Sequence, residues 1–209
     1  MSSATRHTIP QQPATARRRF LEATARLLER QGYQSTGLNQ VVRESGSPKG
    51  SLYYYFPGGK EELVAEAVRH AAAPVSARIS RAVALIRTGE RDAGESVRGF
   101  LEHIAHFMET SDYSAGGPIS TSALEAATTS ERVRTACAES YDSWITEFTR
   151  GLEAAGIAPD RAERLATLIV STIEGAVILG RARRSAEPVR QAARELESHI
   201  RRVVSTEQP

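Results

Sequence analysis

Residues 36–60 read TGLNQVVRESGSPKGSLYYYFPGGK, and two short apolar segments meet within them at Gly46. Leu38, Val41 and Val42 recur at i, i+3 and i+4 and so share one face of a helix spanning Leu38–Glu44. Ser45-Gly46 ends that helix, because glycine takes a positive φ at no steric cost. Ser47 stands where it would cap a second helix. Pro48 suits the first helical position, whose N–H has no partner within the helix. The second segment closes on Tyr53, Tyr54, Tyr55 and Phe56. Two helices joined by a glycine-containing turn are the sequence picture of a helix-turn-helix. In that motif the first turn of the second helix enters the major groove of DNA. Here that turn is Pro48, Lys49, Gly50 and Ser51. One cation, one hydroxyl and little bulk permit close approach to phosphates and base edges.

Upstream, a helix is expected from Thr15 to Gln31, stopping at Gly32, with Phe20, Thr24, Leu27 and Leu28 as its apolar stripe. This helix completes a small core with Leu52, Tyr55 and Phe56, which leaves Tyr53 and Tyr54 facing outward. Arg17, Arg18 and Arg19 oppose the helix macrodipole at the N-terminus, a placement that favours an external anion such as phosphate. Residues 1–60 carry nine Lys/Arg against three Asp/Glu, whereas residues 61–209 carry 18 against 22. A basic N-terminal third on a mildly acidic remainder is the charge pattern of a nucleic-acid module joined to something else. Residues 1–13 are polar, hold two prolines and lack a period; they read as a disordered arm whose Arg6 and His7 lie within reach of a minor groove.

At this motif the chain resembles the tetracycline-repressor (TetR) family of bacterial transcription regulators. The family pattern is an aliphatic helix, a glycine turn, a serine, a glycine, a Leu-Tyr-x-Tyr-Phe run and a Lys-Glu pair. It is met by Gly46, Ser47, Gly50, Leu52, Tyr53, Tyr55, Phe56, Lys60 and Glu61, with Gly32 and Thr36 in place upstream. The second glycine of Pro57-Gly58-Gly59-Lys60-Glu61 resembles the LmrA/YxaF-like branch, whose members control multidrug efflux. The resemblance implies an all-α fold of about nine helices: an arm (1–13), a DNA-binding domain (14–59) and an effector-binding and dimerisation domain (60–209). It implies double-stranded operator DNA, a small hydrophobic effector and a second copy of the chain as partners. Arg17, Arg18, Thr36, Ser47, Lys49, Gly50, Ser51, Tyr53, Tyr54 and Lys60 are the residues so assigned to DNA.

Beyond Lys60 the period stays helical. One helix carries Leu63, Ala67 and Val68, is kinked or ended by Pro74, and resumes through Ile79, Val83 and Ile86 to Gly89. The next, Asp92–Ser111, places His103 and His106 at i, i+3 beside Phe107 and Met108. After a loop at residues 113–117 and a short helix with Ile119, Ala123, Leu124 and Ala127, Ser130 caps a long helix, Glu131–Ala155. That helix bears Cys137, Tyr141, Trp144 and Phe148. Small-molecule sites are apolar with a few polar handles, and His103, His106, Phe107, Cys137, Tyr141, Trp144 and Phe148 make such a lining. The bland alternative is an all-core central domain in a constitutive DNA binder. A metal held by His103 and His106 lacks further ligands at recognisable spacing, so no metal or cofactor is expected. Glu125 and Glu174 read as ordinary acids, solvated or ion-paired.

The helix Asp160–Arg184 has more apolar residues than one buried stripe needs, and a last helix follows Glu187-Pro188. Leu168, Thr172, Gly175 and Leu179 on the first, with Val189, Leu196 and Ile200 on the second, are expected to form a four-helix dimer interface. The lone Cys137 excludes an internal disulfide and suits a reducing compartment. No run is read as reaching the ~18 apolar residues of a membrane span, and no signal peptide opens the chain. P-loop, Gly-x-Ser-x-Gly, His-Glu-x-x-His and Cys-x-x-Cys patterns are absent. A non-enzymatic, cytoplasmic, ligand-responsive regulator is the reading these features support, a metal enzyme its distant competitor.

Overall fold

Thr15 caps the first helix through its hydroxyl, which accepts from the Arg18 N–H at 3.3 Å. The computed structural model describes residues 15–114, 117–126 and 128–207, so the N-terminal arm and Ala127 lie outside the described residues. Among these, nine helices and no strands are found: α1 (Ala16–Ser35), α2 (Leu38–Ser45), α3 (Lys49–Tyr55), α4 (Gly59–Arg87), α5 (Ala93–Thr110), α6 (Pro118–Ala126), α7 (Glu131–Ala154), α8 (Pro159–Arg183) and α9 (Glu187–Glu207).

The first three helices close the expected small core. Phe20, Leu27, Leu28, Val41, Leu52 and Phe56 are buried, and Phe20 meets Phe56 edge to face with centroids 6.3 Å apart. Gly46 ends α2 in the left-handed conformation at φ 59°, as the turn requires. Gly32 breaks α1 at φ 78° and ψ 179°, but a last turn, Tyr33–Ser35, continues beyond it. A Cβ on Gly32 would overlap the Glu125 carboxylate, so glycine is required here by close approach as well as by φ.

One local expectation is corrected and one is narrowed. The N-cap of α3 is Pro48 and not Ser47; Ser47 is buried, and its hydroxyl accepts from Arg19 Nε at 3.0 Å. Pro74 does not end its helix, and α4 runs through it to Arg87. Proline removes one backbone hydrogen bond, while Ala72, Ile79 and Val83 stay buried on either side and hold the helix to its neighbours.

In the larger part of the chain α4 packs on α7, α7 on α8, and α5 on α9. Asp92 and Ser130 cap α5 and α7, accepting from the Glu95 and Val133 N–H groups. On α9 the reading of the sequence is overturned. Val189, Leu196 and Ile200 are buried within the monomer, where α9 lies along α5. Arg190–Glu109, Arg98–Glu197 and Arg201–Asp92 pairs pin the two together at 2.7–3.0 Å. Gly180 likewise admits Met108 of α5 and not a second chain. By length and composition α8 is apolar enough to cross a membrane, contrary to the run-length reading. Its apolar residues divide between a flank in the chain's own core and an outward face holding Leu168, Ile178 and Leu179.

Candidate functional site

Two sites adjoin α1. At the first, α2 and α3 present Arg43, Lys49, Gly50, Tyr53 and Tyr54 on the surface, with Ser51 half-buried. Tyr54 is 80% exposed, whereas Leu52 and Phe56 on the opposite face of α3 anchor it to the core. Neither Lys49 nor Arg43 has an ion pair among the described residues, which leaves two cations on one surface without an internal anion. Arg43 was not singled out from the sequence, although its place in the last turn of an amphipathic helix next to the Gly46 turn was a signal for it.

The remaining residues assigned to DNA stand otherwise. Arg17 is paired with Glu66 and lies 5.8 Å from the centroid of the Phe56 ring; Arg18 is paired with Glu22 at 2.7 Å. Both side chains keep roughly half of their surface exposed, but their charge is partly answered inside the chain. Thr36 is buried, its hydroxyl donating to the Gly32 carbonyl at 2.7 Å and its N–H to the Tyr33 carbonyl at 3.3 Å. Thr36 and Ser47 therefore hold the motif's shape from within. Lys60 turns inward too. Its Nζ sits 4.5 Å from the Tyr33 ring centroid and donates to the Gln34 carbonyl at 3.3 Å. Burial lowers its pKa, and the nearby Glu125 carboxylate opposes that shift.

The second site is a cavity of about 580 Å³ among α4, α5, α7 and α8, reaching α1 and the start of α6. That volume is in the range of small-molecule pockets. His103, Phe107, Trp144 and Phe148 line it as expected, with Met108, Phe100 and Ile104 alongside. Phe107 is 55% exposed at the edge of the cavity. Trp144 is oriented by its indole N–H, which donates to the Ser76 hydroxyl at 3.0 Å. Three expected residues do not line the cavity. His106 faces outward on α5. Cys137 is buried toward α6, its thiol pushed up to about 11 by burial, which makes it inert at neutral pH. Tyr141 stands behind the lining, 3.4 Å from the Ser120 hydroxyl.

Sequence reasoning missed the polar handles. Glu29, Arg78 and Glu174 all line the cavity. Glu174 accepts a hydrogen bond from Ser120, to which the Tyr141 hydroxyl in turn donates, and burial raises its pKa against the opposing effect of those two hydroxyls. The pKa of His103 is lowered by burial first, then by the Arg78 and His106 charges, so its imidazole is neutral near pH 7. Among the described residues no group of three His, Cys, Asp or Glu side chains has metal-site spacing.

Between the two sites lies α6. Near its start the Gly117 N–H donates to Glu29 of α1 at 3.3 Å, and near its end Glu125 accepts from the Gln34 N–H at 2.8 Å. The acid at position 125 is thus a strut between helices and not a solvated side chain.

Residues 20–67 match the family described as bacterial regulatory proteins, tetR family, and residues 93–195 match the C-terminal domain described as transcriptional regulator LmrA/YxaF-like. The chain is 36% identical over 187 residues to the HTH-type transcriptional regulator YxaF of Bacillus subtilis, covering 90% of this chain and 96% of that one. To the HTH-type transcriptional regulator LmrA of the same organism it is 35% identical over 174 residues, or 83% and 90% of the two chains. A TetR transcriptional regulator from Legionella pneumophila shares the fold, with a TM-score of 0.80 over 91% of this chain and all (100%) of that one at 17% identity. One from Chloroflexus aurantiacus gives a TM-score of 0.69 at 27% identity, over 89% of this chain and 94% of that one. With an exposed helix-turn-helix at one end and regulators aligned along most of its length, this chain belongs to the TetR family of DNA-binding transcriptional regulators, in the LmrA/YxaF-like branch.

Proposed function

We propose that the protein is a homodimeric, effector-responsive repressor acting in the cytoplasm, released from a palindromic operator when a small hydrophobic compound fills the central cavity. Residues 14–59 would form the reading head, and residues 60–209 the effector and dimer unit. The observation that carries this reading is the strutting of α6. It borders the cavity at Gly117 and Pro118 and is tied to α1 at both ends, by Glu29–Gly117 and Glu125–Gln34. A ligand that displaces the start of α6 must strain these bonds or carry α1 with it. The reading helix is fixed to α1 through the shared Phe20–Phe56 core. To act at all, the effector must bind the DNA-incompetent arrangement more tightly than the other. No catalytic constellation is invoked. An efflux gene is a fitting target, since the sensed compound would then be the exported one.

The test uses the single tryptophan. Hydrophobic compounds that bind should quench Trp144 fluorescence, and the same concentrations should release labelled operator DNA. Quenching and release are expected to share one midpoint after correction for DNA competition. Quenching without release would separate cavity from reading head. Absence of quenching across a broad compound panel would leave a constitutive DNA binder whose cavity takes no effector.

A further inference from the structure

Of the 27 Lys and Arg residues in the chain only two are lysines, Lys49 and Lys60. A guanidinium stays protonated and is no nucleophile, whereas an uncharged lysine amine is one. Side-chain amine chemistry is therefore confined to two positions, both within the helix-turn-helix stretch, and the fold treats them differently. Lys60 is partly buried, its Nζ 4.5 Å from the Tyr33 ring centroid and donating to the Gln34 carbonyl, with the Glu125 carboxylate nearby and Glu61 next in sequence. Lys49 is exposed in the first turn of α3 and has no ion pair among the described residues. Gly50 follows it, where even an added Cβ would meet nothing within 4 Å, so the approach is open. Arg43 is exposed on the same surface.

We infer that Lys49 is a modification site, acylated by a small acyl phosphate, and that the acylated protein lets go of DNA. The second half rests on the reading-head placement proposed above. In the reaction the Lys49 Nζ lone pair attacks the carbonyl carbon and a C–N bond forms. The bond from that carbon to the phosphate oxygen breaks, phosphate leaves with the electron pair, and the amine proton passes to solvent. The product is a neutral amide, so the cation is lost along with its hold on phosphate or a base edge. Charge selects the reagent and the position. An acyl phosphate is anionic; Lys49 and Arg43 attract it, while Glu61 and Glu125 beside Lys60 repel it. Burial lowers the Lys60 pKa against the opposing Glu125 charge, which favours its free amine. That amine is turned inward and bonded to a carbonyl, however, so a donor reaches it only when the contact opens.

The experiment treats the full-length protein with acetyl phosphate and follows both lysines by mass spectrometry. Lys49 is expected to be acetylated about tenfold or more faster than Lys60, by a margin that shrinks in high salt and vanishes in urea. Bound duplex DNA should protect Lys49. The acetylated protein should bind duplex about a hundredfold more weakly, two charged contacts being lost from a dimer. Lys49→Arg, whatever its own affinity, should lose nothing further on the same treatment. Acetylation of Lys60 at an equal or greater rate, or a preference for Lys49 that persists in urea, would overturn the inference. So would unchanged DNA binding by protein acetylated at Lys49. In that last case Lys49→Ala tells the two failures apart: weakened binding by the variant sinks the acylation switch alone, and unchanged binding removes Lys49 from the reading head as well.

Discussion

Replacing Lys49 with alanine is expected to weaken operator binding about a hundredfold or more while leaving folding and dimerisation intact. Lys49 is exposed in the first turn of α3 and has no ion pair among the described residues, so its removal costs the free protein nothing. In the complex its ammonium gains a charged acceptor, a contact contributing roughly 1.5–3 kcal/mol. A dimer loses two such contacts, together about 3–6 kcal/mol, and each 1.4 kcal/mol is about tenfold. The salt dependence tells what Lys49 touches. If it grips phosphate, the slope of log affinity against log salt falls by about 2 for the dimer, and binding weakens alike on all sequences. If it reads a base edge, the slope holds and discrimination relaxes at one position of each half-site. Titration of labelled duplexes by fluorescence anisotropy at several salt concentrations measures both. Unchanged affinity would remove α3 from the groove.

The second large effect is expected at α8. Changing Leu179 to glutamate should raise the dimer dissociation constant about a thousandfold and abolish operator binding at nanomolar protein, with helical content unchanged. Leu168 and Leu179 are 47% and 50% exposed on one face, with Gly175 between them. A Cβ on Gly175 would meet nothing within 4 Å, so that face of α8 is open to a second helix. In a two-fold interface each substitution occurs twice, and burying two facing carboxylates adds several kcal/mol to the lost apolar contact. The monomer keeps its core because Leu179 points out of it. Glutamate at Leu196 makes the contrast: that side chain is buried against the chain's own α5, so the variant should unfold and not merely dissociate. Sedimentation of both variants checks the pair. A Leu179→Glu protein that sediments as a dimer would move the interface elsewhere.

What the sequence showed and concealed follows from which forces are local. Caps, turns and periodicity are local, so Asp92, Ser130 and Gly46 announced their helix ends, and the Tyr53/Tyr54 exposure followed from one register. The direction in which a stripe faces is not local. Val189, Leu196 and Ile200 form the same pattern whether they meet α5 or another chain, and only the packing of the whole resolves it. The polar residues show the same limit. Thr36, Ser47 and Lys60 belong to a DNA-binding motif, yet their polar atoms are spent inside the fold. Glu174 looked ordinary because acids usually face water. Its neighbours Val170, Ile173 and Val177 were the available signal, since an acid at i+4, i+1 and i−3 from them falls on the apolar flank. Glu125 gave no such signal. Its role as a strut depends on Gly32 leaving room 93 positions away in sequence.

The central claim is that this chain reads DNA as a two-fold dimer, and a gel-shift of the wild-type protein on the DNA upstream of its own gene, at stepped salt, tests it most directly. The expected result is a sequence-specific, salt-sensitive complex on a palindrome with half-sites one helical turn or a multiple apart, two chains to each duplex. Absence of a shift there, followed by no enriched sequence in a selection from random duplexes, would contradict it.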